Sequence, residues 1–194
     1  MKFLIRAGKV DGEIKSSVHD YVFNTFGSNS GNLAYQCSIQ RLLSNEGLNS
    51  FVATKYNHKS DEARIKEINE NFDAFILPMA NNIGRKNFVA QLDELSTLIE
   101  KVDIPCVVVG IGIQTSIDGN LNLPCKDNTI RFVNAVLSKS KVIGVRGQLT
   151  KDYLISIGIP SEKIEVIGCP SLYLNGEGYT VSRQCLNPAR IAFS

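Results

Sequence analysis

The sequence predicts an α/β fold built on a doubly wound, mainly parallel Rossmann-like sheet. Short runs of apolar, β-prone residues alternate with segments that carry apolar residues at helical spacing along almost the whole chain. Most of these runs contain consecutive apolar residues, which is typical of parallel strands covered on both faces. Strand–helix alternation of this kind favours right-handed βαβ crossovers. The chain has 194 residues, 43% of them hydrophobic, so it can bury one substantial core.

The predicted strands and helices follow one another in regular order. Seven strands are predicted, at residues 2–5, 21–26, 50–54, 74–78, 104–112, 141–145 and 164–168. Five helices are predicted from apolar residues that share one face, within residues 35–43, 65–72, 88–99, 130–137 and 149–157. Gly47 and Gly158 are expected to follow helix ends. Ser60 and Asp127 stand where helix N-caps belong.

The composition changes near the end of the chain. Residues 1–174 are predicted to form the Rossmann-like domain. Residues 175–189 are rich in Gly, Asn, Ser and Pro, which is typical of a linker. Residues 190–194 then begin as a new apolar strand, and so short a strand cannot bury itself. We therefore expect residues 190–194 to be the start of a truncated second domain.

The charge and the cysteine content argue against several classes of protein. Lys and Arg (21) nearly balance Asp and Glu (19), which gives a net charge of +2, and the basic residues are not clustered in one run of the sequence. Nucleic-acid binding and binding to anionic membranes therefore have little electrostatic support. The five cysteines and two histidines show no ligand spacing, which predicts neither a disulfide framework nor a metal site. No apolar stretch is long enough for a transmembrane segment, and the apolar run at the N-terminus is too short for a signal peptide, so we expect a cytoplasmic protein.

The first candidate binding loop precedes the first predicted helix. Ligands of an open parallel sheet bind beyond the carboxyl ends of its strands, where loops and helix N-termini meet. Here the loop contains Gly27, Asn29, Ser30, Gly31 and Asn32. Free backbone N–H groups at the helix start would favour a phosphate or a carboxylate. The spacing is neither the dinucleotide fingerprint nor a P-loop, and a tight turn capped by Ser30 or Asn32 explains it equally well.

Polar residues and glycines also follow two later strands. Asn81, together with Asn82 and Arg85, could hydrogen-bond a sugar, although a solvated surface loop explains the same residues. Gly112 would let the backbone approach a ligand closely, and Gln114 offers both a donor and an acceptor. Glycines at a strand end can equally serve the packing of a helix on the sheet.

A lone arginine, Arg146, follows the sixth predicted strand, and Gly147 is expected to permit a sharp turn after it. A guanidinium there could hold a carboxylate or a phosphate with two parallel hydrogen bonds. A solvated or salt-bridged surface arginine is the alternative. Cys169, His19 and His58 lack sequence partners for nucleophilic or acid–base chemistry, so we interpret them as packed or surface residues.

Three segments, taken in order, resemble the polysaccharide pyruvyl transferase family: "GSNSGNLAYQCSIQRLL", "VVVGIGIQ" and "VIGVRGQLTKDYLISIGIPSEKIEVIGCPSLYL". The last segment is the most specific. It contains a strand, the pattern V-R-G-x-L-T, a helix that ends in Gly-Ile, and a strand that runs into G-C-P-S-L. Together the segments span most of the chain, from Gly27 to Leu174.

The resemblance implies a GT-B-like architecture with two domains, of which this chain would be the N-terminal half. It implies transfer of the enolpyruvyl group of phosphoenolpyruvate onto a sugar of a surface polysaccharide, as a ketal, with release of phosphate. The partners would be phosphoenolpyruvate as donor substrate and a glycan or lipid-linked sugar as acceptor, with no cofactor and no metal. This half would bind chiefly the acceptor, and residues 1–194 alone are expected to show no turnover.

The chain departs from the family pattern at two positions. Many members carry aspartate where this chain has Asn32 and Cys169. The general acid and base therefore stay unassigned. Two alternatives remain open: a nucleotide-sugar-dependent glycosyltransferase with the same architecture, and a non-catalytic relative that binds glycan.

Overall fold

A computed structural model describes residues 1–8, 31–44, 48–84, 86–115, 121 and 123–175. In this part of the chain the strands are β1 (Lys2–Ile5), β2 (Ser50–Ala53), β3 (Ala74–Pro78), β4 (Cys106–Val109), β5 (Ile143–Val145) and β6 (Ile164–Val166). The α-helices are α1 (Gly31–Leu43), α2 (Glu62–Asn71), α3 (Val89–Lys101), α4 (Lys126–Leu137) and α5 (Gln148–Ser156). Short 3-10 helices cover Lys86–Phe88, Ser161–Lys163 and Pro170–Tyr173. The predicted α/β class is confirmed.

The strands pair in parallel. Four of them form a sheet in the order β2-β1-β3-β4, and β5 pairs with β6. An isolated parallel bridge between Ile111 and Val145 joins the two sheets just beyond β4. The Gly144 carbonyl there accepts hydrogen bonds from the N–H groups of Gly110 (3.0 Å) and Ile111 (3.2 Å). The carboxyl ends of β1 to β5 are thereby brought to one edge.

The order of the strands reverses at β1. Along the chain β2 follows β1 and pairs with one of its sides, whereas β3 pairs with the other side. The connection after β1 therefore runs to one side of the sheet, and the connection after β2 crosses back over β1 to the other side. In open α/β sheets such a reversal separates the loops on either side of it, and the crevice at the carboxyl ends is where ligands bind.

The sheet carries apolar side chains on both faces. Successive residues of a strand point to opposite faces, and β1, β3 and β4 divide their side chains accordingly between two clusters. One cluster joins strand residues to helices α2, α3 and α4, and includes Leu4, Phe75, Leu77, Ile68, Leu95 and Phe132. The other joins strand residues to α1, and includes Phe3, Ile5, Ala74, Ile76 and Ile39. Burial on both faces explains why the strand sequences lack polar alternation.

Four of the described strands, β2, β4, β5 and β6, are shorter than the apolar runs that predicted them. The run at 104–112 forms a strand only over Cys106–Val109, because Gly110 adopts a φ of +72° and turns the chain. The last strand ends at Val166, and Gly168, with a φ of +79°, follows in the next loop. Strands 2–5 and 74–78 have the predicted bounds. The predicted strand at 21–26 lies outside the described residues.

Two of the four predicted helix caps are wrong. Asp61, rather than Ser60, is the N-cap of α2, and its side chain accepts a hydrogen bond from the Arg64 N–H. Helix α4 begins at Lys126, so Asp127 lies inside its first turn. There it can stabilise the helix dipole without capping it. Gly158 follows α5 with a φ of +101°, as its predicted role requires. Gly47 lies outside the described residues.

Replacing the Asp61 cap by alanine is expected to lower the free energy of unfolding by about 1 kcal/mol. The Asp61 Oδ1 accepts the Arg64 N–H at 3.0 Å, and alanine would leave this N–H at the helix start without its side-chain partner. Asp61→Asn is the matched control, since an asparagine cap accepts the same hydrogen bond. Urea unfolding of the two variants measures the difference, and equal stability of Asp61→Ala and wild type would contradict the assignment.

Candidate functional site

A cavity of about 500 Å³ opens at the carboxyl edge of the sheet, beside the reversal at β1. It is formed by the segments that follow five consecutive strands, together with the starts of α1 and α3. The described residues that line it are Arg6, Asn32, Tyr35, Tyr56, Ala80, Asn81, Asn82, Phe88, Gln91, Gln114 and Arg146. They include two arginines and no carboxylate, so the lining carries positive charge suited to an anion.

Arg146 is held in place by backbone carbonyl groups. Its N–H donates to the Ile111 carbonyl at 2.8 Å, which fixes the main chain where β5 ends. Its side chain is half-buried, with Nε donating to the Gly110 carbonyl (3.2 Å) and Nη2 to the Met79 carbonyl (3.0 Å). These bonds orient the guanidinium toward the cavity, and its other N–H groups have no hydrogen bond to a described residue that would prevent them from binding a ligand.

Two glycines allow this close arrangement. A side chain at Gly110 would be strained by the positive φ, and its Cβ would lie 2.7 Å from the Pro170 Cδ. At Gly112 a Cβ would lie 2.6 Å from the Asn81 Oδ1 and 3.7 Å from the Arg146 Cβ. Gly112 therefore makes room for the Asn81 side chain beside Arg146.

Gly147 does not have the role that the sequence predicted for it. Its φ of −165° and ψ of 170° are extended backbone that any residue adopts. A Cβ there would meet nothing within 4 Å. The chain turns into α5 without special backbone geometry, and the buried Thr150 of its first turn accepts a hydrogen bond from the Ile113 N–H at 3.1 Å.

An amide network forms another wall of the cavity. Asn82 is buried, and its Oδ1 accepts the Ala80 N–H at 3.0 Å, which closes the turn after β3. The Asn82 Nδ2 donates to the Gln91 Oε1 at 3.1 Å, so the turn is tied to α3. Asn81 is exposed, and Gln114 is anchored by a hydrogen bond from its N–H to the Ile83 carbonyl (2.8 Å). Amide side chains of this kind can donate to and accept from sugar hydroxyls.

Arg6 is the second cation of the cavity. It follows β1 directly, and its N–H donates to the Ile76 carbonyl at 2.9 Å. Its side chain donates to the Pro78 carbonyl (3.3 Å) and to the Gln91 Oε1 (3.0 Å). Only 5% of the residue is exposed. Burial lowers the pKa of Arg6, but an arginine stays charged at neutral pH.

Two tyrosines lie beside the arginines. The Tyr56 ring packs against the Arg6 guanidinium, with 5.3 Å from Cζ to the ring centroid, and its hydroxyl accepts a hydrogen bond from Gln36 at 2.9 Å. Tyr56 has a φ of +52°, a strained value for a tyrosine. Burial, and next the neighbouring Tyr56, raise the pKa of the Tyr35 hydroxyl, while Arg6 and Arg146 partly offset the rise. Tyr35 therefore remains a hydrogen-bond donor at neutral pH.

The structure brings four of the predicted site residues to this cavity. Asn32, Asn81, Gln114 and Arg146 line it. Gly112 is buried against Asn81, as described above, and Gly31 is the first residue of α1. Gly27, Asn29 and Ser30 lie outside the described residues, as does Arg85. Ligand binding by any of these residues stays a prediction.

The sequence prediction missed Arg6, Tyr35, Tyr56 and Gln91. Arg6 has a signal that could have revealed it, since a lone arginine follows an apolar strand here as it does at Arg146. The two tyrosines and Gln91 carry no comparable signal. They reach the cavity through the placement of α1, the loop after β2 and α3, which the sequence does not specify.

Neither Cys106 nor Cys169 is placed to act as a nucleophile in the cavity. Cys106 is fully buried, and burial raises the pKa of its thiol to about 12, so it stays a thiol. The Cys169 Sγ lies 3.1 Å from the Ser171 Oγ, and neither residue is among those that line the cavity. Among the described side chains, no three or more His, Cys, Asp or Glu residues form a group suited to a metal ion. In the same part of the chain, no helix is both long and apolar enough to span a bilayer.

The fold and the cavity define an α/β protein with a cationic site at the carboxyl edge of a parallel sheet. Residues 29–189 match the family model described as polysaccharide pyruvyl transferase, which covers most of the chain. The chain belongs to this family, whose name indicates a transferase that acts on polysaccharide. Neither a search of curated proteins nor a search of solved structures found a match.

Proposed function

We propose that this protein transfers the enolpyruvyl group of phosphoenolpyruvate onto a sugar of a surface polysaccharide as a pyruvate ketal. The observation that carries the proposal is the composition of the cavity, which combines two guanidinium groups with five amide side chains and no carboxylate among its described lining. Cations suit the carboxylate and the phosphate of the donor, and amides suit the hydroxyls of a sugar. The membership of the family supports the same reaction.

The reaction sets clear requirements on the site. A proton is added to the methylene carbon of the enol, which leaves an oxocarbenium-like centre on the neighbouring carbon. A sugar hydroxyl forms a bond to that centre and gives up its proton to a base. The carbon–oxygen bond to phosphate then breaks and phosphate leaves. A second hydroxyl of the same sugar bonds to that carbon and gives up its proton to the phosphate, which closes the ketal. The site must therefore supply an acid, a base, and cations that stabilise the carboxylate and the departing phosphate.

Arg146 meets the requirement for a cation. Its carbonyl partners fix its orientation before a ligand arrives, so little freedom is lost when it binds an anion. The protonated Tyr35 hydroxyl, influenced by both arginines, is a further donor in the same cavity. In the doubly wound, GT-B-like arrangement that we propose, the cavity faces a second domain, which contributes the remaining groups.

The test is an assay of the full-length protein with 13C-labelled phosphoenolpyruvate and candidate acceptors that carry two neighbouring hydroxyls. We expect 31P NMR to show release of phosphate and 13C NMR to show a new ketal carbon. Transfer from a nucleotide-sugar, with no ketal from any acceptor, would reject the proposal in favour of a glycosyltransferase. Acceptor binding without phosphate release at any pH would instead indicate a non-catalytic glycan-binding protein.

A further inference from the structure

Arg6 is the more deeply buried of the two arginines in the cavity, with only 5% of the residue exposed. It lies between the ends of β1 and β3, where its N–H continues the hydrogen bonding of the two strands by donating to the Ile76 carbonyl. The backbone at Arg6 is therefore fixed by the sheet itself. Its side chain borders the cavity at the point where the strand order reverses.

The partners of Arg6 among the described residues are all neutral. They are the Pro78 carbonyl, the Gln91 amide oxygen, the face of the Tyr56 ring and the nearby Tyr35 hydroxyl. Removing a full charge from water is costly unless an opposite charge is supplied. Hydrogen bonds from neutral acceptors compensate only part of that cost.

Two other arginines of the chain have carboxylate partners although they are less buried than Arg6. Arg131 binds Glu100 through Nε (2.9 Å) and Nη2 (2.8 Å) on the surface. Arg64 pairs with Glu67 at 2.7 Å. The partly buried Arg64 and the more exposed Arg131 thus each have a carboxylate partner, whereas the described part of the chain offers none to the buried Arg6.

Arg6 also has an unused donor. Its Nε–H is buried and finds no acceptor within the described part of the chain. A buried donor without an acceptor destabilises a protein, and such groups are rare unless a ligand or another group satisfies them. One oxyanion in the cavity would supply both an acceptor for this N–H and the countercharge that the described part of the chain does not provide.

We infer that Arg6 binds the anionic group of a ligand, a phosphate or a carboxylate, in the same cavity as Arg146. This inference rests on the proposed function and assigns Arg6 as an additional binding residue of that site. The Nε–H and the remaining Nη protons of Arg6 supply the hydrogen bonds, and its buried position makes it the inner end of the site. The anion comes either from phosphoenolpyruvate or from a phosphorylated sugar acceptor.

Thermal unfolding of the full chain provides the first test, with Arg6→Met as the variant and Arg131→Met as the control for the change in net charge. In anion-free buffer we expect the Tm of Arg6→Met to be no lower than that of wild type, because the variant removes a buried cation that has no carboxylate partner among the described residues. Millimolar phosphate should raise the Tm of wild type and of Arg131→Met but not that of Arg6→Met. A lower Tm for Arg6→Met together with an undiminished phosphate effect would make Arg6 structural and overturn the inference.

Calorimetric titration separates the two possible sources of the anion. The probes are phosphoenolpyruvate, pyruvate, inorganic phosphate and glucose 1-phosphate. For the tightest of these we expect Arg6→Met to bind about 30-fold more weakly than wild type, as is typical for the loss of charge-assisted hydrogen bonds. Tighter binding of phosphoenolpyruvate identifies the donor as the source, and tighter binding of glucose 1-phosphate identifies the acceptor. Unchanged affinity in Arg6→Met, or no binding of any probe by wild type, would overturn the inference.

Two further measurements keep the inference testable and distinct from the proposed function. If Arg6→Met fails to fold, Arg6→Lys retains the charge but loses the planar fork, and it should bind the probes more weakly than wild type. The Arg6 Nε–H resonance of 15N-labelled wild type should also shift on titration with the tightest probe, and its failure to shift would overturn the inference. None of these readouts requires turnover, so absence of ketal formation would reject the proposed reaction alone.

Discussion

Arg146→Ala is expected to lower kcat/KM for pyruvyl transfer by at least about 100-fold, which corresponds to about 2.7 kcal/mol of lost transition-state stabilisation. The reason is the loss of a pre-oriented cation from a cavity whose described lining holds one other arginine and no carboxylate. The Arg146 side chain is fixed by the carbonyls of Gly110 and Met79 before any ligand binds. Such pre-oriented charge stabilises a departing phosphate better than mobile solvent does.

Folding should change little in the same variant. Arg146 is half-buried beside an open cavity, so water can solvate the two carbonyls that lose their partner. Arg146→Lys should recover only a minor part of the activity, since an ammonium lacks the planar fork that binds an oxyanion with two parallel hydrogen bonds. Urea unfolding and steady-state kinetics of both variants measure the two effects separately.

Arg41 offers a matched control for this prediction. Its Nη1 also donates to a backbone carbonyl, that of Leu174 at 3.0 Å, but Arg41 is exposed and does not line the cavity. Arg41→Ala removes the same charge and the same kind of hydrogen bond, and it should leave kcat/KM within about twofold of wild type. Equal activity of Arg146→Ala and Arg41→Ala would show that Arg146 does not contribute to the reaction and is an ordinary arginine at the end of a strand.

Much of the fold could be predicted because burial on both faces of the sheet leaves a clear sequence signal. The run "AFILP" has no polar residue, and the corresponding strand β3 is buried at every position. Helix periodicity is equally informative, since each of the five predicted helical segments overlaps an observed helix. These features depend on local residue patterns, which a single sequence displays directly.

The ends of the elements were harder to predict because they depend on individual backbone conformations. The sequence pattern predicts that a glycine within an apolar run belongs to the strand. Gly110, however, has a φ of +72°, which strand residues do not adopt. Asp61 and Ser60 are both good cap residues, and the pattern alone does not decide which of them the helix uses. Gly147 shows the opposite error, since a glycine need not adopt a conformation that requires it.

The candidate site could be predicted only along the edge of the sheet. The sequence predicts Arg146, Asn81 and Gln114 because they lie in the segments that follow strands, and the carboxyl ends of parallel strands meet. Tyr35 and Tyr56 come from a helix and from a loop after β2, and their approach to Arg6 depends on the packing of α1 over the sheet. No local pattern encodes that packing, so tertiary structure was needed to find the tyrosines.

Acidification should destabilise the protein through His58, for which the sequence alone predicts either a packed or a surface position. The structure shows that it is buried, with 5% of the residue exposed, and its Nε2 has no hydrogen-bond partner in the described part of the chain. Burial, and next the charges of Arg6 and Arg64, lower the pKa of His58 from 6.5 to about 4. The imidazole is therefore neutral in the folded protein at pH 5, whereas it binds a proton in the unfolded chain.

A carboxylate near His58 does not reverse this effect. The His58 Nδ1 lies 4.0 Å from the Glu94 Oε2, but this separation is beyond hydrogen-bond distance and the Glu94 side chain is 65% exposed. Water screens a carboxylate in that position, whereas the imidazole is removed from water. Glu94→Gln should consequently have little influence on how stability changes with pH.

The contribution of His58 to stability is complete above pH 6.5 and is lost as the pH falls toward 4, because the unfolded state binds the proton first. The two pKa values correspond to a loss of about 3 kcal/mol near pH 4. His58→Gln cannot bind this proton, so its free energy of unfolding should fall less steeply than that of wild type between pH 7 and 4. Urea unfolding across that range measures the slopes, and parallel curves for wild type and His58→Gln would show that the imidazole titrates normally. That result would also mean that water reaches the His58 imidazole in the folded protein, whereas a difference of the expected size supports its removal from water.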